Sequence, residues 1–281
     1  MKVLVTGVKG QLGFDIVNLL TEQGVECKGV DIDDFDLTDA KAVHDAVVGY
    51  APDVVIHCAA FTAVERAEED KDLCYKVNVD GTRNMVDAAQ ELDAKFVYFS
   101  TDYVFPGTGE HAYKVDDPTG PTNQYGLTKL LGEKAVTEHL EKYFICRISW
   151  VFGENGNNFI KTMLKLAKTH DTLTVVDDQI GSPTYCKDVA KLVCEMIRTE
   201  KYGTYHVTNE GLCSWYEFAV EIFRQAGIPM QVKPVSSADY PAKVERPKNS
   251  RMSKQKLTDC GFERLPSWQD ALSRFLKNIA E

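Results

Sequence analysis

The first thirteen residues constrain the fold most. Lys2 to Thr6 is a short apolar run rich in valine, three glycines then follow at positions 7, 10 and 13, and Phe14, Ile16, Val17, Leu19 and Leu20 recur at helical spacing. The order reads as strand, tight glycine turn, helix. Glycines at these positions let the backbone approach a pyrophosphate and let the helix pack closely on the strand, while the helix N-terminus supplies amide donors for the negative charge. Gly7, Gly10, Gln11, Leu12 and Gly13 are therefore candidate ligands of a dinucleotide. A glycine triplet alone also fits a plain turn; its place between a strand and a helix is what points to a nucleotide.

The same alternation continues. A second strand, Glu26 to Val30, ends at Asp31, where a carboxylate would accept hydrogen bonds from adenosine ribose hydroxyls and repel a 2′-phosphate. NADH is the expected cofactor, with NADPH possible, because Asp33, Asp34 and Asp36 make a merely acidic loop the competing reading. Asp36 and Leu37 border the same edge, and Thr38-Asp39 caps a helix from Ala40 to Tyr50. Asp53 to Cys58 is an apolar run suited to a strand buried on both faces. It exits into Ala59-Ala60 and Thr62, and a bulky side chain at Ala59 or Ala60 would block a cofactor lying across the strand ends. His57 has no partner at catalytic or ligand spacing and reads as structural. One long helix is expected over Asp72 to Leu92, with Asn78 polar among apolar neighbours and therefore in need of buried partners. The fourth strand, Lys95 to Ser100, runs into Thr101-Asp102-Tyr103, and the fifth spans Tyr143 to Val151. These alternations predict a doubly wound, mostly parallel α/β Rossmann sheet whose ligands bind at the carboxyl edge of the strands.

Between the fourth and fifth strands lies Tyr125-Gly126-Leu127-Thr128-Lys129 on a predicted helix. Four residues apart, a phenol and an ammonium project from one face. A fixed positive charge there would favour the phenolate and make Tyr125 a usable acid near neutral pH. With 12 tyrosines in 281 residues such a pair also arises by chance, so its weight comes from the strand edge beside it.

Composition narrows the partners. A net charge of −10 and a pI near 5.2 argue against nucleic acid or an anionic membrane surface as the main partner. The eight cysteines show no C-x-x-C and no zinc-ligand spacing, so they read as free, mostly buried thiols, and no metal site is expected. No apolar stretch reaches membrane-span length, and the expected location is the cytoplasm.

Longer strings carry a resemblance. Gly7-x-x-Gly10-x-x-Gly13, His57-Cys58-Ala59-Ala60-Phe61-Thr62, Thr101-Asp102-Tyr103-Val104-Phe105, Tyr125-Gly126-x-Thr128-Lys129, Asp178-Gln179-x-Gly181-x-Pro183-Thr184 and Arg246-Pro247-x-Asn249-Ser250 occur in family order over nearly the whole chain. The chain resembles the extended short-chain dehydrogenases/reductases, most closely the dTDP-4-dehydrorhamnose reductases. That resemblance implies hydride transfer to the 4-keto group of a nucleotide sugar, with Tyr125, Lys129, Thr101 and Asn78 as the catalytic set. Asn78 would organise the lysine, and Lys129 would also hold the nicotinamide ribose. Thr101, Asp102, Tyr103, Tyr125, Trp150 and Arg246 would meet the substrate, Trp150 by stacking and Arg246 by pairing with a diphosphate.

The resemblance also implies a division of the chain: residues 1–152 with 185–208 as the dinucleotide domain, and 153–184 with 209–281 as a smaller C-terminal α/β substrate domain. A homodimer is possible. Three rivals share the fold: other nucleotide-sugar 4-reductases, 4-epimerases, and a dinucleotide-binding regulatory subunit like that of methionine adenosyltransferase. Nucleotide-sugar 4,6-dehydratases carry an Asp-Glu pair after the threonine, whereas this chain has Asp102-Tyr103, so elimination lacks its second carboxylate.

Overall fold

The computed structural model describes residues 1–240 and 242–280; Pro241 and Glu281, both inside the expected substrate domain, lie outside the described residues. In chain order the first half contains β1 (Lys2–Thr6), α1 (Gln11–Glu22), β2 (Glu26–Val30), α2 (Ala40–Tyr50), β3 (Val54–His57), α3 (Val64–Glu69), α4 (Lys71–Tyr75), α5 (Gly81–Glu91), β4 (Lys95–Thr101), α6 (Gln124–His139) and β5 (Tyr143–Ile148). The second half contains β6 (Val151–Phe152), α7 (Phe159–Leu166), β7 (Thr172–Val176), β8 (Ile180–Gly181), β9 (Thr184–Tyr185), α8 (Cys186–Met196), β10 (Gly203–His206), β11 (Cys213–Ser214), α9 (Trp215–Ala226), β12 (Gln231–Val235), α10 (Gln255–Asp259) and α11 (Trp268–Ala280).

Six strands form one sheet in the order β2-β1-β3-β4-β5-β10, every neighbouring pair parallel. Its central strands read as continuous apolar runs because both faces are covered. On one face Leu12, Ile16 and Leu20 of α1 pack with Val189, Val193 and Met196 of α8; on the other Val43 and Val47 of α2 pack with Met85 and Val86 of α5 and Val136 of α6. A fully buried side chain such as Ile16 contributes ~1.5–3 kcal/mol, so the amphipathic stripe fixes which face each helix presents. The chain runs from β1 outward to β2 and then returns to the other side of β1 as β3. That reversal opens a crevice at the carboxyl ends of β1 and β3, where ligands of such sheets bind.

The remaining elements pack around Phe152, Ile160, Tyr185, Phe218, Trp268, Leu272 and Phe275, with β7 beside β12, β8 beside β11 and β6 beside β9. None of the helices among the described residues is long and apolar enough to cross a membrane.

One expectation about an element needs correction, and another gains a detail. The fifth strand stops at Ile148, because Trp150 takes a left-handed conformation (φ 50°) that an extended strand cannot include; Val151–Phe152 then pairs with Thr184–Tyr185 outside the main sheet. The helix expected over 72–92 is present from Lys71 to Glu91: Asp70 caps it by accepting from the Leu73 N–H, and a π-helical turn over Lys76–Asp80 lies within it, between α4 and α5. Such turns cluster at functional sites, and this one contains Asn78.

Candidate active site

The glycine turn is built for close approach. Gly7 sits at φ +70°, and a Cβ on it would lie 2.6 Å from the Ala59 nitrogen; a Cβ on Gly13 would lie 2.4 Å from the Gly7 carbonyl oxygen. Only hydrogens fit at either place, so the N-terminus of α1 stays open to a phosphate. The turn forms one end of a cleft of about 1400 Å³ that passes Asp31, Asp36 and Leu37, crosses Ala59, Ala60 and Thr62, and reaches Thr101, Tyr103, Tyr125, Lys129, Trp150 and Arg246. The structure thus brings the cofactor candidates and all six substrate candidates, Asp102 included, to a single surface. Asp31 is partly engaged, accepting from the Lys9 and Ile32 N–H groups at 2.9 and 2.8 Å. Gln11 also lines the cleft and accepts from the Gly153 N–H and the Asn158 amide at 2.9 and 3.1 Å, and so ties the turn to the second half of the chain.

In the middle of the cleft Asn123 caps α6, its side chain accepting from the Gly126 N–H at 2.9 Å. This cap sets the first turn and aims Tyr125 at the end of β4, where its ring meets Tyr103 edge-on with centroids 5.5 Å apart. One turn later Lys129 is only 3% exposed, its ammonium 4.0 Å from the centre of the Tyr98 ring. Burial pulls the Lys129 pKa down to about 7, with Glu133 opposing the shift. Burial likewise pushes the Tyr125 phenol above the ordinary tyrosine range, with the Thr101 hydroxyl pulling the other way. This corrects the expectation that Lys129 makes Tyr125 more acidic: burial raises the phenol, Asp102 adds to the rise, and the opposing pull comes from the Thr101 hydroxyl and not from Lys129, so Tyr125 is a neutral phenol.

Thr101 is buried at the end of β4; its hydroxyl donates to Asp102 at 3.0 Å and accepts from the Tyr103 N–H at 3.2 Å. Asp102 is not a free substrate ligand, since Ser250 also donates its hydroxyl to it, and burial raises its pKa to about 6. Asn78 lies behind the cleft wall. Its amide accepts from the Phe61 N–H at 2.7 Å and donates to the Phe61 carbonyl and the Thr128 hydroxyl at 3.0 Å each, so it reaches Lys129 only through the neighbouring residue. His57 is bonded to Thr6 and Thr82, as a structural residue would be.

Sequence reasoning missed a buried ion pair beneath Lys129. Arg147 donates from Nε and Nη2 to the Glu133 carboxylate at 2.9 and 2.8 Å and from Nη1 to the Val115 carbonyl at 3.0 Å. A charged residue within the apolar run of β5 was its only signal. Also missed were Trp215, whose indole stacks on Trp150 with centroids 3.8 Å apart, and Glu65, which pairs with Arg246.

Comparison with known proteins fits this geometry. The sequence profile of the RmlD substrate binding domain matches residues 1–281. The chain belongs to the RmlD family. An RmlD-family relative, the dTDP-4-dehydrorhamnose reductase of Aggregatibacter actinomycetemcomitans, is 39% identical over 292 residues, covering 99% of this chain and 98% of its own. The spore coat polysaccharide biosynthesis protein SpsK of Bacillus subtilis is 40% identical over 276 residues, 98% of this chain and 97% of its own. Among solved structures, the dTDP-4-dehydrorhamnose reductase of Bacillus anthracis in complex with NADP superposes with a TM-score of 0.96 at 43% identity, covering 99% of this chain and 100% of that one.

Proposed function

We propose that this RmlD-family chain reduces the 4-keto group of dTDP-4-dehydro-L-rhamnose to give dTDP-L-rhamnose at the expense of NAD(P)H. The observation that carries the reading is the meeting of Thr101, Tyr125 and Lys129 in the cleft that begins at the glycine turn. A nicotinamide dinucleotide, when bound, supplies the hydride. Tyr125 holds a proton and gives it to the carbonyl oxygen as negative charge develops there, and the Thr101 hydroxyl, turning from Asp102, donates its one hydrogen bond to the same oxygen. Lys129 binds ribose hydroxyls and, titrating near neutral pH, resupplies the proton to Tyr125. Gly7, Gly10 and Gly13 leave room for the pyrophosphate, and Ala59 and Ala60 for the ring system crossing the strand ends. Residues 153–184 and 209–281 act as the substrate domain and offer Arg246 for the diphosphate, while Trp150, at the end of the dinucleotide domain, is available for stacking.

Asp31 supports NADH as the preferred form, since its carboxylate lines the adenosine end of the cleft. The Bacillus anthracis relative holds NADP, so comparing the two cofactors' specificity constants is the direct test. For the reaction itself, the purified chain is mixed with NADH and dTDP-4-dehydro-L-rhamnose, nicotinamide absorbance is followed and the sugar is identified. One NADH oxidised per dTDP-L-rhamnose formed is the expected stoichiometry. An altered sugar without net NADH loss would mean an epimerase, and tight NADH binding without any sugar turnover a regulatory subunit.

A further inference from the structure

Tyr240, Ala242, Lys243 and Arg246 line the substrate end of the cleft, and the chain is pinned on either side of them, at Ser237 and at Asn249–Ser250. At one end the Ser237 N–H donates to the Asp178 carboxylate at 2.8 Å. At the other the Asn249 N–H donates to the Gly107 carbonyl at 2.9 Å, the Asn249 amide donates to the Thr108 and His111 carbonyls at 3.1 and 2.8 Å, and Ser250 donates to Asp102. Between these anchors two cations face α3: Arg246 pairs with Glu65, and Lys243 pairs with Glu69 at 3.0 Å. Glu65 and Glu69 stand one helical turn apart and so share a face.

The two partners of the inner pair both line the cleft. Their side chains remain 39% and 42% exposed, a range in which an ion pair holds weakly and is screened by salt. A diphosphate carries more charge than a carboxylate and suits the planar guanidinium at least as well. Glu65 therefore occupies the partner that an incoming diphosphate would claim, and it places a negative charge where that anion must arrive.

Resting on the nucleotide-sugar reading above, we propose that Glu65 is a positioning residue that acts as an exchangeable counter-ion: it holds Arg246 at the cleft and yields it to the substrate's diphosphate, thereby setting substrate affinity. The exchange converts a tie between α3 and Arg246 into a tie between Arg246 and the substrate. The hydrogen bonds at Ser237, Asn249 and Ser250 hold the flanking chain in place meanwhile.

The inference predicts a sign that simple scaffolding does not. If Glu65 only oriented Arg246, removing its charge would weaken diphosphate binding; as a competitor, its removal strengthens binding. The test measures dTDP affinity by calorimetry on the full chain and on Glu65→Gln, Glu65→Asp, Arg246→Gln and the Glu65→Gln/Arg246→Gln pair, with NADH binding as the check on folding. Glu65→Gln is expected to bind dTDP about two- to fivefold more tightly, Glu65→Asp to match the parent, and Arg246→Gln to bind about tenfold more weakly. In the double variant the gain from Glu65→Gln should vanish. Equal or weaker dTDP binding by Glu65→Gln, or a gain that persists without Arg246, overturns the inference while leaving the substrate reading in place. A parent chain that binds NADH but not dTDP overturns both.

Discussion

Arg147→Met tests the buried architecture under the candidate lysine. The substitution removes three donors and leaves the Glu133 carboxylate without its partner in a site where the two side chains are only 6% and 7% exposed. Breaking such a pair from one side costs about 3–5 kcal/mol, because an uncompensated charge stays buried. For a chain of this size each kcal/mol lowers the melting temperature by roughly 2–4 °C, so a fall of about 6–20 °C is expected. Urea melts followed by circular dichroism would give the free energy directly. Adding Glu133→Leu removes the stranded charge, and the double variant should regain most of the loss, to within about 1 kcal/mol of the parent. It should not regain activity, because Glu133 is the main group holding the Lys129 pKa up against burial. Stability lost by less than about 1 kcal/mol in Arg147→Met, or a double variant as unstable as the single one, would refute the reasoning that this pair is dry and mutually compensating.

Tyr125→Phe should keep NADH binding and lower ketone reduction by about 10²-fold or more, read from single-turnover absorbance; near-normal turnover would remove Tyr125 from the role of acid. Lys129→Met has a pH signature. The folded pKa lies below the unfolded one, so the cost of burying the ammonium is full below pH 7 and is relieved as pH rises from about 7 towards 10.5. The parent should therefore gain about 2 kcal/mol more than Lys129→Met between pH 7 and 9, and parallel stability profiles would contradict the assignment. Asp31→Ser should erode the preference for NADH over NADPH, judged by the ratio of specificity constants, and an unchanged ratio would show that this carboxylate does not choose the cofactor.

Those features that arise within one element were legible in the sequence. The glycine turn, the apolar runs of β1, β3 and β4, and the Tyr125–Lys129 pair all depend on local spacing, and Asn78 announced itself as an amide among apolar neighbours. What escaped depends on contacts between distant elements. Arg147 and Glu133 lie on β5 and α6, and nothing in either period shows that the strand's guanidinium and the helix's carboxylate meet. Glu65 and Arg246 are separated by 181 residues. The end of β5 was misplaced for a different reason: the apolar pattern runs on through Trp150, Val151 and Phe152, and hydrophobicity carries no information about the sign of φ. The effect of burial on Tyr125 and Lys129 escaped likewise, because spacing shows that two groups are adjacent and not how far either is from water.

The left-handed turn at Trp150 has an optical consequence. There one indole lies against Trp215, nearly parallel at 16°, while Trp268, the third tryptophan of the chain, is buried in the same core against Phe218. Two chromophores so close couple electronically, so the molecule carries its own gauge of the cleft. A sugar or base that slides between or displaces the rings changes the ultraviolet dichroism of the pair, and occupancy can be followed without a label.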